Sequence, residues 1–136
     1  MVYLMERHLP PMHARFIWKI SWLSLIGGIY AIYRGYFELS CFQLLAFLTS
    51  LNYWRNTVSS SFARYIDIVC ISSGIVYTAI RAQHSERMIE YNMILAIWLI
   101  FYFLGKLFAY SATIGTFCHV GAHIFGNLSN IILYSS

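Results

Sequence analysis

The chain alternates between long apolar segments and short polar links. Each segment approaches the roughly 20 residues that an α-helix needs to cross the hydrocarbon core of a bilayer. This pattern predicts an all-α, polytopic transmembrane helix bundle of about five spans, forming a single domain over residues 1–136. The predicted spans are approximately residues 16–33, 36–54, 63–81, 90–108 and 111–134.

Two boundaries of these spans are not set by the apolar pattern alone. Apolar residues continue from the fourth span into the fifth, so the pattern allows a turn at Gly105–Lys106 or at Tyr110–Ser111. Near the N-terminus, Pro10–Pro11 precede an apolar run that lacks a small-residue cleavage site. We therefore expect a retained first span rather than a cleaved signal peptide.

The composition also favours a lipid environment. Only 10% of the residues are charged, against about 25% in soluble domains, and the mean hydropathy is +0.63. A soluble chain of 136 residues could not bury so much apolar surface, because small domains have a large surface for their volume. The composition therefore predicts an integral membrane protein.

The net charge of +4 does not indicate nucleic-acid binding. Basic residues that bind nucleic acid cluster on one face, whereas here they are dispersed between apolar runs, where they set membrane orientation. With five spans, six of the nine lie on the side of the N-terminus, which predicts a cytoplasmic N-terminus. The six are Arg7, Arg15, Lys19, Arg55, Arg64 and Lys106, and the other three are Arg34, Arg81 and Arg87.

Cysteine use gives no sign of a disulfide framework. Cys41, Cys70 and Cys118 all lie inside apolar segments, their number is odd, and no C-x-x-C motif is present. We expect buried free thiols.

Two histidines interrupt the last span. His119 and His123 are four residues apart and therefore lie on one face of a helix. Small and polar residues share that face, whereas bulky residues occupy the rest of the helix surface. Because small residues allow neighbouring helices to approach, we expect the histidines to point into the bundle. The other members of this face are Gly115, Cys118, Ala122, Gly126 and Asn130.

Polar residues also lie inside the second and third spans. Ser50 is near the end of span 2 and Asp67 is near the start of span 3. A carboxylate at bilayer depth costs several kcal/mol unless it is neutralised, paired or near water. Counting residues along the helices places Ser50, Asp67 and both histidines roughly 6–16 Å inside the same membrane surface. The sequence therefore predicts one internal polar site shared by three helices.

The spacing of the histidines is compatible with metal binding. Two imidazoles at i and i+4 can hold one metal ion, although no general base lies between them here. Zinc usually needs at least three protein ligands, and Asp67 is a candidate ligand or a base for bound water. Structural histidines that hydrogen-bond across helices are the alternative.

Three segments, "TSLNYWR", "RYID" and "HVGAHIFGNLSNIILY", resemble the alkaline ceramidase-like membrane hydrolases, a superfamily that includes the adiponectin receptors. That family has seven helices, with Ser-x-x-x-His closing one helix, an Asp opening the next and His-x-x-x-His in the last. Its three histidines hold zinc, and the zinc-bound water cleaves an amide or related lipid bond. Ser50, Asp67, His119 and His123 match these positions, whereas Trp54 stands in place of the first zinc histidine.

The resemblance implies a zinc-dependent hydrolase acting on a membrane lipid. His119 and His123 would hold the metal, Asp67 would transfer protons or complete the ligand set, and Ser50 would orient a carboxyl or carbonyl group. Trp54 cannot ligate a metal. The alternative is a non-catalytic structural or partner-binding membrane protein, associated with a second copy or another membrane subunit. A haem carrier is disfavoured because axial histidines would have to face each other from different helices.

Overall fold

The computed structural model describes residues 9–57 and 61–136. Over these two ranges the chain forms six α-helices and no strand, so the predicted all-α class is confirmed. Arg7 and the middle of the polar link between spans 2 and 3 lie outside the described residues. The helices are α1 (Pro11–Ile20), α2 (Trp22–Tyr33), α3 (Phe37–Arg55), α4 (Phe62–Ala82), α5 (Met88–Leu107) and α6 (Ala112–Tyr134).

The first predicted span is a pair of consecutive helices. α1 begins at Pro11, ahead of the expected start at residue 16, because proline fits the first helical position, where its missing N–H is not needed. Ser21 separates α1 from α2, and its hydroxyl donates to the Ile17 carbonyl at 2.9 Å. Together α1 and α2 form one segment of 23 residues, long enough to cross a membrane.

The turn from α2 to α3 depends on one glycine. Gly35 has a φ of +82°, in the left-handed region that favours glycine. Its N–H donates to the Ile32 carbonyl at 3.0 Å, and the Tyr36 N–H donates to the Ala31 carbonyl at 2.9 Å. This pair of bonds is a Schellman motif, which ends α2 and lets α3 start at Phe37.

Serine caps mark the starts of α4 and α6. The Ser61 hydroxyl accepts from the Arg64 N–H at 3.2 Å, and the Ser111 hydroxyl accepts from the Ile114 N–H at 3.3 Å. α5 runs without interruption through Gly105 and ends at Leu107. The turn between the last two spans is therefore at the second of the two predicted positions.

α3 and α6 form the interior of the bundle, while α4 and α5 flank it. α3 packs against α1, α2 and α4, and α6 packs against α1, α2 and α5. α4 and α5 touch over only a small area, which includes a 3.1 Å hydrogen bond from the Tyr91 hydroxyl to Thr78 Oγ1 near their shared turn. The polar interior is thus bounded by α3 and α6.

Three helical segments are long and apolar enough to cross a membrane: Pro11–Tyr33, Phe62–Ala82 and Met88–Leu107. α3 and α6 have sufficient length but fall short in apolarity, since they carry the amide, hydroxyl and imidazole groups of the interior. Large apolar side chains remain exposed along α4 and α5, which is the surface expected where lipid is the solvent. These are the helices of an integral membrane protein.

The small residues of α6 allow a close approach to α5. A Cβ atom added at Gly126, on the face of the histidines, would fall 3.1 Å from the Trp98 ring of α5, which leaves little room for a larger residue. On the side of α6 opposite His119, Phe117 and Leu128 are exposed. The predicted division of this helix into a small, polar face and a bulky outer face is present.

The three cysteines are free thiols, as predicted, but only one of them is buried. Cys118 is covered at the contact between α6 and α5, Cys70 is half-buried, and Cys41 is exposed. The expectation of burial was wrong for Cys41, because its face of α3 is not covered by a neighbouring helix.

Candidate functional site at the centre of the bundle

Asp67 is buried in α4 and held by hydroxyl groups of α3. Its Oδ1 accepts from Ser50 Oγ at 2.8 Å and from Thr49 Oγ1 at 2.9 Å, and the residue is only 5% exposed. The predicted proximity of Ser50 and Asp67 is therefore present, and Thr49 is a second donor that sequence reasoning did not assign. Arg81, near the other end of α4, pairs with Glu38 of α3.

One stripe of α3 faces the centre of the bundle. Gln43, Phe47, Ser50 and Trp54 recur at intervals of three and four residues, so they lie on one helix face, and all four are buried. From this stripe Ser50 contacts α4, whereas Gln43 and Trp54 contact α6. One buried face of α3 therefore contacts the polar side chains of both α4 and α6.

The histidines of α6 lie beside Trp54. The His119 ring is 4.7 Å from the Trp54 ring, centroid to centroid, in an edge-to-face arrangement, and the His123 ring is 5.1 Å from that of His119. Trp54 is one helical turn beyond Ser50. Two successive turns of α3 therefore contact the two parts of the centre: Ser50 binds the buried carboxylate of Asp67, and Trp54 packs against His119.

The side chains of this centre do not complete a metal site. Over residues 9–57 and 61–136, no three His, Cys, Asp or Glu side chains are grouped so as to hold a metal ion. Asp67 therefore does not form a three-ligand cluster with His119 and His123. The position beside His119 is occupied by an indole, which has no ligating atom. These residues do not fit a zinc site with three protein ligands.

A third imidazole approaches α6 from α1. The Nδ1 atom of His13 is 3.0 Å from Thr116 Oγ1, and Thr116 precedes His119 by three residues. Sequence reasoning missed His13 because it lies before the expected start of the first span. In the described part of the chain it joins no metal-binding group.

A cluster of polar side chains, the amide cluster, connects α3 to α6 further along the bundle. The Gln43 amide donates to Asn127 Oδ1 at 2.5 Å and accepts from Asn130 Nδ2 at 2.6 Å and from the Tyr134 hydroxyl at 3.2 Å. Asn127 also donates to the His123 carbonyl at 2.7 Å. The sequence signal was a set of amides inside two spans, since such groups hydrogen-bond across helices.

The hydroxyl groups beside Asp67 should stabilise the folded protein. Ser50→Ala is expected to lower the free energy of unfolding by about 1–3 kcal/mol, because the buried carboxylate loses a donor that water cannot replace. Adding Asp67→Leu should recover most of this loss, since no charge then remains to be solvated. Reversible denaturation in detergent measures both effects.

Ser73→Ala is the matched control for this comparison. The Ser73 hydroxyl is exposed and donates to the Val69 carbonyl of its own helix, so its removal should change stability by less than about 0.5 kcal/mol. Equal effects of Ser50→Ala and Ser73→Ala would contradict the role assigned to Ser50.

No protein-family model, curated protein or solved structure matches the chain. The resemblance to ceramidase-like hydrolases therefore rests on the motif positions Ser50, Asp67, His119 and His123. It stays a prediction.

Proposed function

We propose that this chain is a non-catalytic multi-pass membrane protein related to the ceramidase-like hydrolases, in which Trp54 has replaced a metal ligand. The observation that carries the proposal is the buried indole of Trp54 against the His119 ring, at 4.7 Å. The motif positions predict a third histidine at this place. With an indole there, the first histidine of the pair, His119, is packed against an aromatic ring.

The surrounding contacts support a structural role for the polar centre. Asp67 binds two hydroxyls of α3, and the amide cluster ties α3 to α6. A catalytic zinc site needs an open coordination position for water, whereas these groups are used in contacts between helices. The function is then that of a structural or partner-binding membrane protein, with the exposed faces of α4 and α5 available to a second copy or another subunit.

The proposal includes the arrangement in the membrane. Five segments cross the bilayer: α1 and α2 together, and α3, α4, α5 and α6 singly. The less apolar α3 and α6 are shielded from lipid by the other helices. The N-terminus is cytoplasmic, because six of the nine basic residues lie on its side of the membrane and cytoplasmic segments carry an excess of Lys and Arg.

A zinc-dependent hydrolase of a membrane lipid is the second candidate. It is favoured by the 5.1 Å separation of the His119 and His123 rings on one helix face, and by Asp67 of α4, which is bound by Ser50 one turn before Trp54 on α3. This function requires a third ligand from beyond the described side chains.

Metal analysis of the purified full chain distinguishes the two candidates. We expect the zinc content to be well below one ion per chain, and to be unchanged in the His119→Ala/His123→Ala variant. His84→Ala, which removes an exposed histidine from the α4–α5 link, controls for adventitious metal. One zinc per chain that is lost only in the double variant would contradict the non-catalytic proposal and support the hydrolase.

A further inference from the structure

A small polar recess lies at the end of the bundle, where the α2–α3 turn, the α4–α5 link and the last turn of α6 meet. Its volume is about 120 Å³, and its polar wall includes Tyr36, Arg81, His84 and Ser85. Arg34 is close by, since its Nη2 is 3.5 Å from the carbonyl of Ser136, which also lines the recess. The recess thus presents hydrogen-bond donors and two nearby guanidinium groups.

An open apolar groove follows the seam between α3 and α4. It has a volume of about 500 Å³ and is lined mainly by Phe42, Val76, Tyr77 and Ile80, with the Ser72 and Ser73 side chains completing the lining. The Phe42 and Tyr77 rings stack across the seam at 4.8 Å. The groove opens away from the interior, on a surface where the helices face lipid.

An ion pair connects the groove to the recess. Arg81 lies one turn beyond Tyr77 on α4, and Glu38 lies one turn before Phe42 on α3. Arg81 Nη2 and Glu38 Oε1 are 3.0 Å apart, and both side chains are nearly half exposed. Glu38 occupies one of the five N–H donors of the guanidinium, so others can bind a second anion.

We propose that the recess and the groove together bind one glycerophospholipid. Its phosphate lies at Arg81 and His84, and one acyl chain lies in the groove against Phe42 and Tyr77. The chemistry fits, because basic pockets between membrane helices bind lipid head groups and guanidinium binds phosphate through charge-assisted hydrogen bonds. The cationic recess lies at the helix ends, level with head groups, and the apolar groove continues from it toward the membrane core.

This site is independent of the polar centre and of the function proposed for it. Its residues belong to the opposite end of α3 and α4 from Ser50 and Asp67. Phosphate binding at Arg81 does not depend on whether the histidines hold a metal.

Native mass spectrometry of the full chain in detergent tests the proposal. Phosphatidylglycerol is added, and diacylglycerol with the same acyl chains serves as the phosphate-free probe. We expect one bound phosphatidylglycerol per chain and about tenfold weaker binding of diacylglycerol, the effect of losing a charge-assisted hydrogen bond.

Variants separate the two parts of the site. Arg81→Gln should weaken phosphatidylglycerol binding about tenfold, and Ser73→Phe should weaken it by filling the groove while every charge is kept. Arg87→Gln is the control, because Arg87 lies on the same link as His84 and pairs with Glu90 of α5 but does not line the recess. It should bind as the parent does.

Equal binding of the two lipids, or equal binding by Arg81→Gln and Arg87→Gln, would overturn the proposal. If Arg81→Gln does not fold, His84→Gln takes its place, because His84 lies in the exposed link and lines the recess. His84→Gln should then weaken phosphatidylglycerol binding, and unchanged binding would overturn the phosphate site.

Discussion

Replacing Trp54 with histidine is expected to give the protein about one tightly bound zinc ion per chain. The Trp54 ring is 4.7 Å from that of His119, which in turn is 5.1 Å from that of His123. An imidazole at position 54 would therefore join two others that are already preorganised on α6. Three histidines and one water form the four-coordinate arrangement that catalytic zinc sites use.

Trp54→His should also lower the stability of the metal-free protein. A smaller side chain in place of a buried tryptophan leaves a cavity, and truncation of buried aromatic residues costs on the order of 3–5 kcal/mol. Bound zinc should offset part of this loss, since a ligand that binds only the folded state stabilises it. The thermal midpoint of Trp54→His should therefore rise when zinc is added, whereas that of the parent should not.

Zinc content and thermal unfolding of monodisperse protein measure these effects. Trp54→Phe keeps an aromatic ring without a ligating atom and should bind no more zinc than the parent. Removing His119 from the Trp54→His background should abolish the gain. A folded Trp54→His variant without zinc would show that position 54 and the two histidines do not converge on one metal position.

Gln43→Leu is expected to lower the free energy of unfolding by about 2–4 kcal/mol. The variant loses all three hydrogen bonds from the Gln43 side chain to Asn127, Asn130 and Tyr134. Single hydrogen bonds between membrane helices contribute about 0.6 kcal/mol on average and up to about 1.7 kcal/mol. Three together, with buried partners left unsatisfied, produce a large effect because leucine fills the space without replacing any acceptor or donor.

Two further variants calibrate that result in the same denaturation assay. Tyr134→Phe removes only the 3.2 Å bond to Gln43 and should cost about 0.6 kcal/mol. Gln83→Leu changes a glutamine just beyond α4 whose hydrogen bonds to the Ala79 carbonyl and to Asn92 are exposed to solvent, so it should stay within about 0.5 kcal/mol of the parent. A loss for Gln43→Leu no larger than for Gln83→Leu would show that the amide cluster does not hold α3 to α6.

Local features of the chain allowed the helices to be predicted with small errors. The positions where helices start and end depend on nearby residues, such as Gly35 in its left-handed turn and the capping serines Ser61 and Ser111. The one ambiguous turn had two candidates because a glycine often marks the end of a helix, but α5 continues through Gly105, which lies against Cys118 of α6. An isolated glycine costs a helix only about 1 kcal/mol.

The candidate site was predictable in part. Depth along the helices indicated that Ser50 and Asp67 lie at one level, and the structure places them in contact. The part that Thr49 plays could not be assigned, because its hydroxyl also has an acceptor in its own helix, the Ala46 carbonyl at 3.2 Å. Whether the Thr49 hydroxyl also reaches Asp67 depends on how α4 is rotated against α3.

By itself, the amino-acid sequence determined an all-α membrane protein, the approximate limits of its helices and the faces that carry polar groups, since these follow from hydrophobic runs and from periodicity within one helix. Only the tertiary structure decided that Gln43 binds Asn127, that Trp54 lies against His119, and that α4 and α5 touch so little. Helices that share one apolar solvent can rotate and slide with little change in hydrophobic burial. Their final arrangement is therefore selected by close packing and hydrogen bonds between residues far apart in the chain.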